Sequence, residues 1–268
     1  MEESRTIRSL IDCCRQRSDI AERLSILIYD NFPPVQQPAL TDLPCGAMEY
    51  CHDAQNGGLV AAYNYALEIA QRRSIDWLLL LDQDTVVELG FLSALLQEIC
   101  EPPQARVCAM VPKLVQDGTM LSPQVVGKLR NHSISPEFSG LSSKTLTALN
   151  SGSCLRVEAL VDVGGFPRQY WLDYLDHIMF HRLQFAGGWI VVLDATIQHQ
   201  LSSRSFETEM SVERYANMLA AEWMFVRETG WGGGAPVHRL RLLKRALSHS
   251  VRLRNKRYAF QALRATFS

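Results

Sequence analysis

The sequence has no uninterrupted apolar run longer than Trp77–Leu81. A run of that size makes a strand, whereas a helix that crosses a bilayer needs about 20 apolar residues. Nothing apolar backs the charged start Met1-Glu2-Glu3-Ser4-Arg5, so no secretory leader is expected. The expected location is the cytoplasm, or the periphery of the inner face of the cell membrane. No CxxC pair occurs among the 7 cysteines, an odd number, which argues against a disulfide framework and for a reducing compartment. Cys45 and Cys51-His52 lack the second pair that a zinc site needs. With neither GxGxxG nor a Walker loop, nicotinamide and ATP chemistry have no motif to stand on. Repeats and low-complexity tracts are missing as well. The longest stretch without acidic residues is the C-terminal one. None follows Glu228, while Arg239, Arg241, Lys244, Arg245, Arg252, Arg254, Lys256, Arg257 and Arg264 all do. The formal net charge of the whole chain is −1, so overall electrostatics select no partner.

With 268 residues and 47% hydrophobic content, the chain can bury a core as one large α/β unit with an appendage. Ile7–Arg17 reads as a helix and Leu24–Tyr29 as a strand stopped by Asp30-Asn31 and Pro33-Pro34. Asn56-Gly57-Gly58 opens a helix whose apolar stripe is Leu59, Tyr63, Ala66, Leu67 and Ala70. Ile75–Leu81 is a strand apolar on both faces, Phe91–Ile99 a helix, and Val107–Val111 a strand. Residues 116–143, rich in Ser, Gly and Pro, read as a mobile loop. Thr145–Leu149 and Ile190–Leu193 read as strands, with Leu172–Ala186 and Arg214–Glu228 as helices. The alternation gives an open α/β sheet. It divides into an α/β unit over 1–229, a Gly-rich hinge over 230–236 and a basic helical tail over 237–268.

Asp82-Gln83-Asp84 follows the most apolar strand directly. Open α/β sheets bind ligands at the carboxyl ends of strands, and carboxylates at i and i+2 suit a hard divalent cation carrying phosphates. An acidic cap for the following helix explains the same residues equally well. His177 and His181, with Asp173 a turn earlier, have zinc spacing but no fourth ligand. Asp176 reads either as a functional carboxylate or as one paired with Arg182 or solvated beside Asp173.

The ordered set of motifs carries more. Asn56-Gly57-Gly58-Leu59-Val60-Ala61-Ala62-Tyr63-Asn64, then Trp77-Leu78-Leu79-Leu80-Leu81-Asp82-Gln83-Asp84, resembles the family 2 glycosyltransferases, and most of all their rhamnosyltransferase branch. Asn150-Ser151-Gly152-Ser153, Gly164-Gly165-Phe166, Trp171-Leu172-Asp173-Tyr174-Leu175-Asp176 and Arg182 extend the likeness over roughly residues 8–230. The resemblance implies a GT-A type α/β fold, an open, mixed, mostly parallel sheet flanked by helices. It implies an inverting transferase that moves a sugar, L-rhamnose from dTDP-rhamnose in that branch, from a dTDP- or UDP-sugar donor. The acceptor would be a cell-surface glycan such as an O-antigen, or a lipid-linked precursor. Asp30, Asn56, Asn64 and Asp82 would bind the donor. Asp84 and His199 would hold Mg²⁺ or Mn²⁺, and Asp176 would deprotonate the acceptor hydroxyl.

Three departures from the family pattern stand out. No apolar strand precedes Ile7, so the neighbouring strands are expected to lack ladder partners. Ile178 replaces a residue that is commonly acidic, and Ala221-Glu222 replaces a common Arg-Asn. An inactive nucleotide-sugar-binding or scaffold protein is therefore the competing expectation. The basic tail reads either as a helix lying on anionic lipid or as a solvated helix packed on its own domain. Nucleic acid is not expected as a partner, because the basic stretch has no recognised fold.

Overall fold

Residues 4–31, 46–100, 106–198 and 210–268 are described by the computed structural model. The first of these segments folds as α1 (Arg5–Gln16), α2 (Ser18–Ala21) and β1 (Ser25–Asp30). Ser4 caps α1 by accepting from the Ile7 N–H, and Leu10, Cys13 and Cys14 form its buried stripe. Next come β2 (Ala47–His52), α3 (Gly58–Arg72), β3 (Trp77–Leu79) and α4 (Leu89–Cys100). Val60, Tyr63, Leu67 and Ala70 recur at helical spacing and face inward from α3.

β4 (Val107–Gln116) is the centre of the main sheet, its first eight residues all buried. It pairs in parallel with β11 (Trp189–Gln198) and antiparallel with β10 (Cys154–Arg156), which in turn pairs antiparallel with β3. β5 (Thr119–Ser122) folds back on β4 through Asp117 (φ 48°) and Gly118 (φ 74°), a tight Asp-Gly hairpin. β6 (Gln124–Val125), β7 (His132–Ser133), β8 (Gly140–Leu141) and β9 (Leu146–Thr147) are short. β8 extends the main sheet beside β11, while β7, β6 and β9 form a small sheet of their own. Within the stretch expected as a loop, short antiparallel strands alternate with turns and irregular segments, and the strands are too brief to show a period in sequence.

The fold is mixed α/β with helices flanking the sheets. Of the described ladders, β1–β2 and β4–β11 are parallel and the remainder antiparallel. β1 and β2 stand apart from the main sheet: among the described residues β1 pairs only with β2, and β3 only with β10. Their side chains still meet. Leu24 and Ile26 pack into the same core as Trp77, Leu79 and Leu81, on the face covered by α1 and α4.

The opposite face is covered by α3, α5 (Val157–Asp162) and α6 (Leu175–Phe185). Cys108 and Cys154 lie in these cores, and burial pushes both thiols up to about 12, which makes them structural rather than reactive. α7 (Val212–Thr229) ends at Gly230 in the left-handed region (φ 67°), followed by a 3₁₀ turn over Trp231–Gly233. α8 (Gly234–Arg252) and α9 (Arg257–Thr266) complete the chain. They pack on α7 through Leu242, Ala246, Tyr258 and Ala262 against Tyr215, Leu219 and Trp223. Glu222 is buried there, bridged by Arg245 at 2.7 and 3.1 Å. That pairing explains why an acidic residue is tolerated at this place, because a buried carboxylate without its cation would cost several kcal/mol.

Candidate active site

The acidic segment after β3 is built from behind. Leu80 exchanges backbone hydrogen bonds with Ser153 and Gly152, at 2.9 and 2.7 Å. Ser151 Oγ accepts from the Asp82 N–H at 3.4 Å and touches the Thr85 hydroxyl. Gly152 (φ 80°) must be glycine, since a Cβ would lie 2.8 Å from Pro112. From the other side, the N-terminus of α1 clasps the segment. Ser4 Oγ donates to the Gln83 carbonyl at 3.0 Å, and the Thr6 hydroxyl donates to that of Asp82. Asp84 is half-buried, and its carboxylate has no hydrogen-bond or ion-pair partner among the described residues. α4 begins only at Leu89, beyond the reach of a cap at Asp84, so the helix-cap reading does not hold.

The turn after β2 is organised by Asp53, which sequence reasoning passed over. Its carboxylate accepts from the Gly57 N–H at 2.7 Å, the Gln55 N–H at 2.9 Å and the Tyr29 hydroxyl at 3.0 Å. These donors, the Gly57 N–H foremost, hold its carboxyl below the usual carboxylate range. Asn56 is left-handed (φ 49°), its side chain is exposed, and its carbonyl accepts from Trp171 Nε1 at 3.3 Å. Gly58 (φ 76°) lies so close to Trp171 that a Cβ would come within 2.5 Å of its carbonyl oxygen. Asn64 spends its amide internally: Nδ2 donates to the Val60 and Phe166 carbonyls, and Oδ1 accepts from the Phe166 N–H. It locks α3 to the Gly165-Phe166 turn, so the Asn56–Gly58 turn and the Trp171–Asp176 segment are held as one unit. Asp30 ends β1, accepting from the Tyr50 hydroxyl at 2.8 Å, with His52 Nδ1 3.9 Å away.

Asp176 lies in the first turn of α6, where its Oδ1 accepts from the His177 N–H at 2.7 Å. Arg182 does not pair with it but forms a two-pronged bridge to Glu228 at 2.6 and 3.0 Å. α6 starts at Leu175, so Asp173 precedes the helix instead of sharing its face. Burial raises the Asp173 pKa, Arg214 opposes the rise, and the charge of Asp176 adds to it. Ile178 is fully buried, where an unpaired carboxylate would be costly. His177 Nδ1 shares a hydrogen bond with the Thr147 hydroxyl at 2.6 Å. No cluster of three potential metal ligands occurs among the described residues, so the His177–His181–Asp173 zinc set does not assemble. His199 lies outside the described residues, as does Cys45.

Tyr63 connects the two acidic regions. Burial drives its phenol well above the ordinary value, and the charges of Asp82 and Asp176 both push it further. Its hydroxyl and the Asn150 amide oxygen are buried without a well-formed hydrogen bond among the described residues, although Asn150 is near enough to oppose the rise. Sequence alone shows Tyr63 as one more apolar-stripe residue. Only the fold reveals that the charges of two distant segments act on its phenol.

A strand-end acidic segment, a glycine turn opening a helix, and a carboxylate in the first turn of a later helix define the GT-A type of sugar-transferase fold. Solved structures agree with it. The structure of residues 1–349 of S. aureus TarS is similar with a TM-score of 0.53 and 13% identity, covering 100% of this chain and 87% of that one. A second TarS structure gives 0.55 and 14%, covering 97% and 52%. GalNAc-T7, solved with UDP, GalNAc and Mn²⁺, gives 0.52 and 14%, covering 81% and 44%. The chain thus spans about half or less of the latter two. The sequence model of glycosyl transferase family 2 matches residues 2–142, more than half of the chain, and the chain belongs to that family. No curated protein matches it.

Proposed function

We propose that this chain is an inverting, metal-assisted glycosyltransferase using a nucleoside diphosphate sugar, with L-rhamnose from dTDP-rhamnose as the first donor to test and UDP-sugars second. The observation that carries the reading is Asp84, a half-buried carboxylate in the segment after β3 with no hydrogen-bond or ion-pair partner among the described residues, in a chain that matches the family 2 model; the charges of Asp82 and Asp176 both act on the Tyr63 phenol, which supports placing both acids in one site. Asp84 offers a hard, uncommitted oxygen ligand, which fits Mg²⁺ or Mn²⁺ shared with a diphosphate, and His199 is the proposed second ligand. The bound cation supplies charge neutralisation for the leaving diphosphate; GalNAc-T7, of the same fold, was solved with UDP and Mn²⁺. Asp30 and Asp82 are assigned to the nucleoside end of the donor. Asn56 borders it, and Asn64 acts by holding the turn that carries Asn56. Asp176 accepts the acceptor hydroxyl's proton as that oxygen bonds to the anomeric carbon and the bond from that carbon to the diphosphate breaks. With dTDP- and UDP-sugars, manganese and a glycan acceptor, nucleoside diphosphate release above the acceptor-free rate is expected. Among the described residues β1 pairs only with β2 and β3 only with β10, which favours a second reading, an inactive sugar-nucleotide binder. That reading wins if donor binds but no donor yields release above the enzyme-free control.

The acceptor is proposed to be a glycan or a lipid-linked precursor reached from an anionic membrane surface. No helix of the described residues is long and apolar enough to cross a membrane. α8, however, presents Leu240, Leu243, Leu247 and Val251 outward along one stripe, 66%, 40%, 69% and 77% exposed. The tail around them carries no carboxylate side chain, so a second copy of this face would meet it with like charge. Flotation with phosphatidylglycerol vesicles is expected to carry the protein up at low salt. Leu240→Gln with Leu247→Gln should weaken this about tenfold or more, each buried leucine contributing about 1.5–3 kcal/mol at most. Equal flotation of wild type and variant would leave the tail a purely structural element.

A further inference from the structure

A cavity of about 550 Å³ opens where β9, α6, α7 and the glycine turn meet, within the about 300–1,000 Å³ range of small-molecule sites. Its apolar walls are the rings of Tyr174, Phe225 and Trp231, and its polar groups include Thr147, His177 and Asn131. No Asp or Glu lines it, and its one lysine, Lys128, is exposed at the rim. Burial lowers the pKa of His181, keeping that side uncharged near neutrality. The lining therefore favours neither a cation nor a phosphate. Aromatic faces beside hydroxyl, amide and imidazole groups match a ligand with C–H faces and a hydroxyl rim.

The walls are fixed in advance. Trp231 Nε1 donates to Asn131 Oδ1 at 3.2 Å, and the guanidinium of Arg241 on α8 covers the indole 5.0 Å from its centroid. Arg241 also donates to the Leu129 carbonyl. Gly232 is buried at φ 71°, and any Cβ there would strike Arg241. The basic tail thus locks one wall of the cavity. His177 is tied by Nδ1 to Thr147 at 2.6 Å, leaving its other ring nitrogen without a bond among the described residues. His177 is also the residue whose N–H holds Asp176, so the cavity adjoins the proposed base.

We infer that this cavity is a saccharide subsite that binds one neutral sugar ring of the acceptor, stacked on Trp231 and Phe225. Calling that ring the acceptor's rests on the transferase reading; binding of the ring does not. The test is saturation-transfer NMR and tryptophan quenching on the full chain. The probes are methyl α-L-rhamnopyranoside, methyl β-D-glucopyranoside and N-acetylglucosamine, with geraniol as an apolar comparator and UDP with Mn²⁺ as the donor-side control. At least one glycoside should bind with a dissociation constant on the order of 1 mM. Trp231→Ala should weaken it about tenfold, Trp231→Phe should largely restore it, and Arg241→Gln should weaken it by releasing the wall. UDP binding should stay unchanged in all three, with thermal unfolding confirming the fold. The inference fails if no glycoside binds the wild type, if only geraniol does, or if Trp231→Ala and Arg241→Gln bind it as the wild type does. If the wild type bound neither dTDP nor UDP in the presence of Mn²⁺ while glycoside binding stayed intact, the donor reading would fall and this site would stand.

Discussion

Asp84→Ala is expected to lower sugar transfer about a thousandfold while leaving the fold intact. The magnitude follows from what a divalent cation does for a diphosphate leaving group, several kcal/mol of transition-state charge stabilisation, at about 1.4 kcal/mol per factor of ten. The second half of the prediction follows from the structure. Asp84 is half-buried and bonds to nothing among the described residues, so removing its carboxylate breaks no contact seen there and should shift stability by only about 0.5 kcal/mol. Asp82 makes a poorer first test. Its backbone is gripped by Thr6, Thr85 and Ser151, and a substitution there disturbs the clasp as well as the site. The measurement is nucleoside diphosphate release against manganese concentration, with unfolding temperature as control. Wild-type turnover persisting in EDTA, and unaltered by the substitution, would remove the metal from the mechanism.

The parts of this site that were legible in sequence are those whose chemistry and position coincide along the chain. Trp77–Leu81 is apolar on both faces and runs towards carboxylates, so a strand followed by acids could be read directly, but the fully buried strand expected over Ile75–Leu81 is shorter, Trp77–Leu79, and half-buried, paired among the described residues with β10 alone. Asn56-Gly57-Gly58 announced a turn into a helix, and the structure adds why glycine is needed: Gly58 touches Trp171 from a different segment. β2 was missed because Glu49 and His52 interrupt an alternation that only its pairing with β1 completes. Residues 116–143 were read as a loop because strands of two residues carry no period. Asp53 and Tyr63 escaped for opposite reasons. Asp53 acts through donors two to four residues ahead, a local pattern that turn chemistry could have flagged. Tyr63 acts through carboxylates brought to it from elsewhere in the fold, which no local pattern contains.

Asp176→Asn is the change that separates binding from chemistry. The substitution keeps the size and one oxygen, so the hydrogen bond from the His177 N–H can persist and α6 should start as before. It removes the group's capacity to take a proton. A positioned general base contributes about 10²–10⁴-fold, and turnover should fall by that factor while UDP still binds with unchanged affinity. Arg182 does not complicate the outcome, being committed to Glu228. Asp173 is the nearest alternative base in the sequence, three residues ahead. Its pKa is raised by burial with the charge of Asp176 adding, so removing that charge makes Asp173 a stronger acid and a weaker base. Rescue by Asp173 is therefore expected to be small, and Asp173→Asn combined with Asp176→Asn should be little slower than Asp176→Asn alone. Turnover unchanged in Asp176→Asn would take this carboxylate out of the proton transfer. A large further drop in the double variant would move the base to Asp173, and with it the acceptor's approach, to the segment ahead of α6.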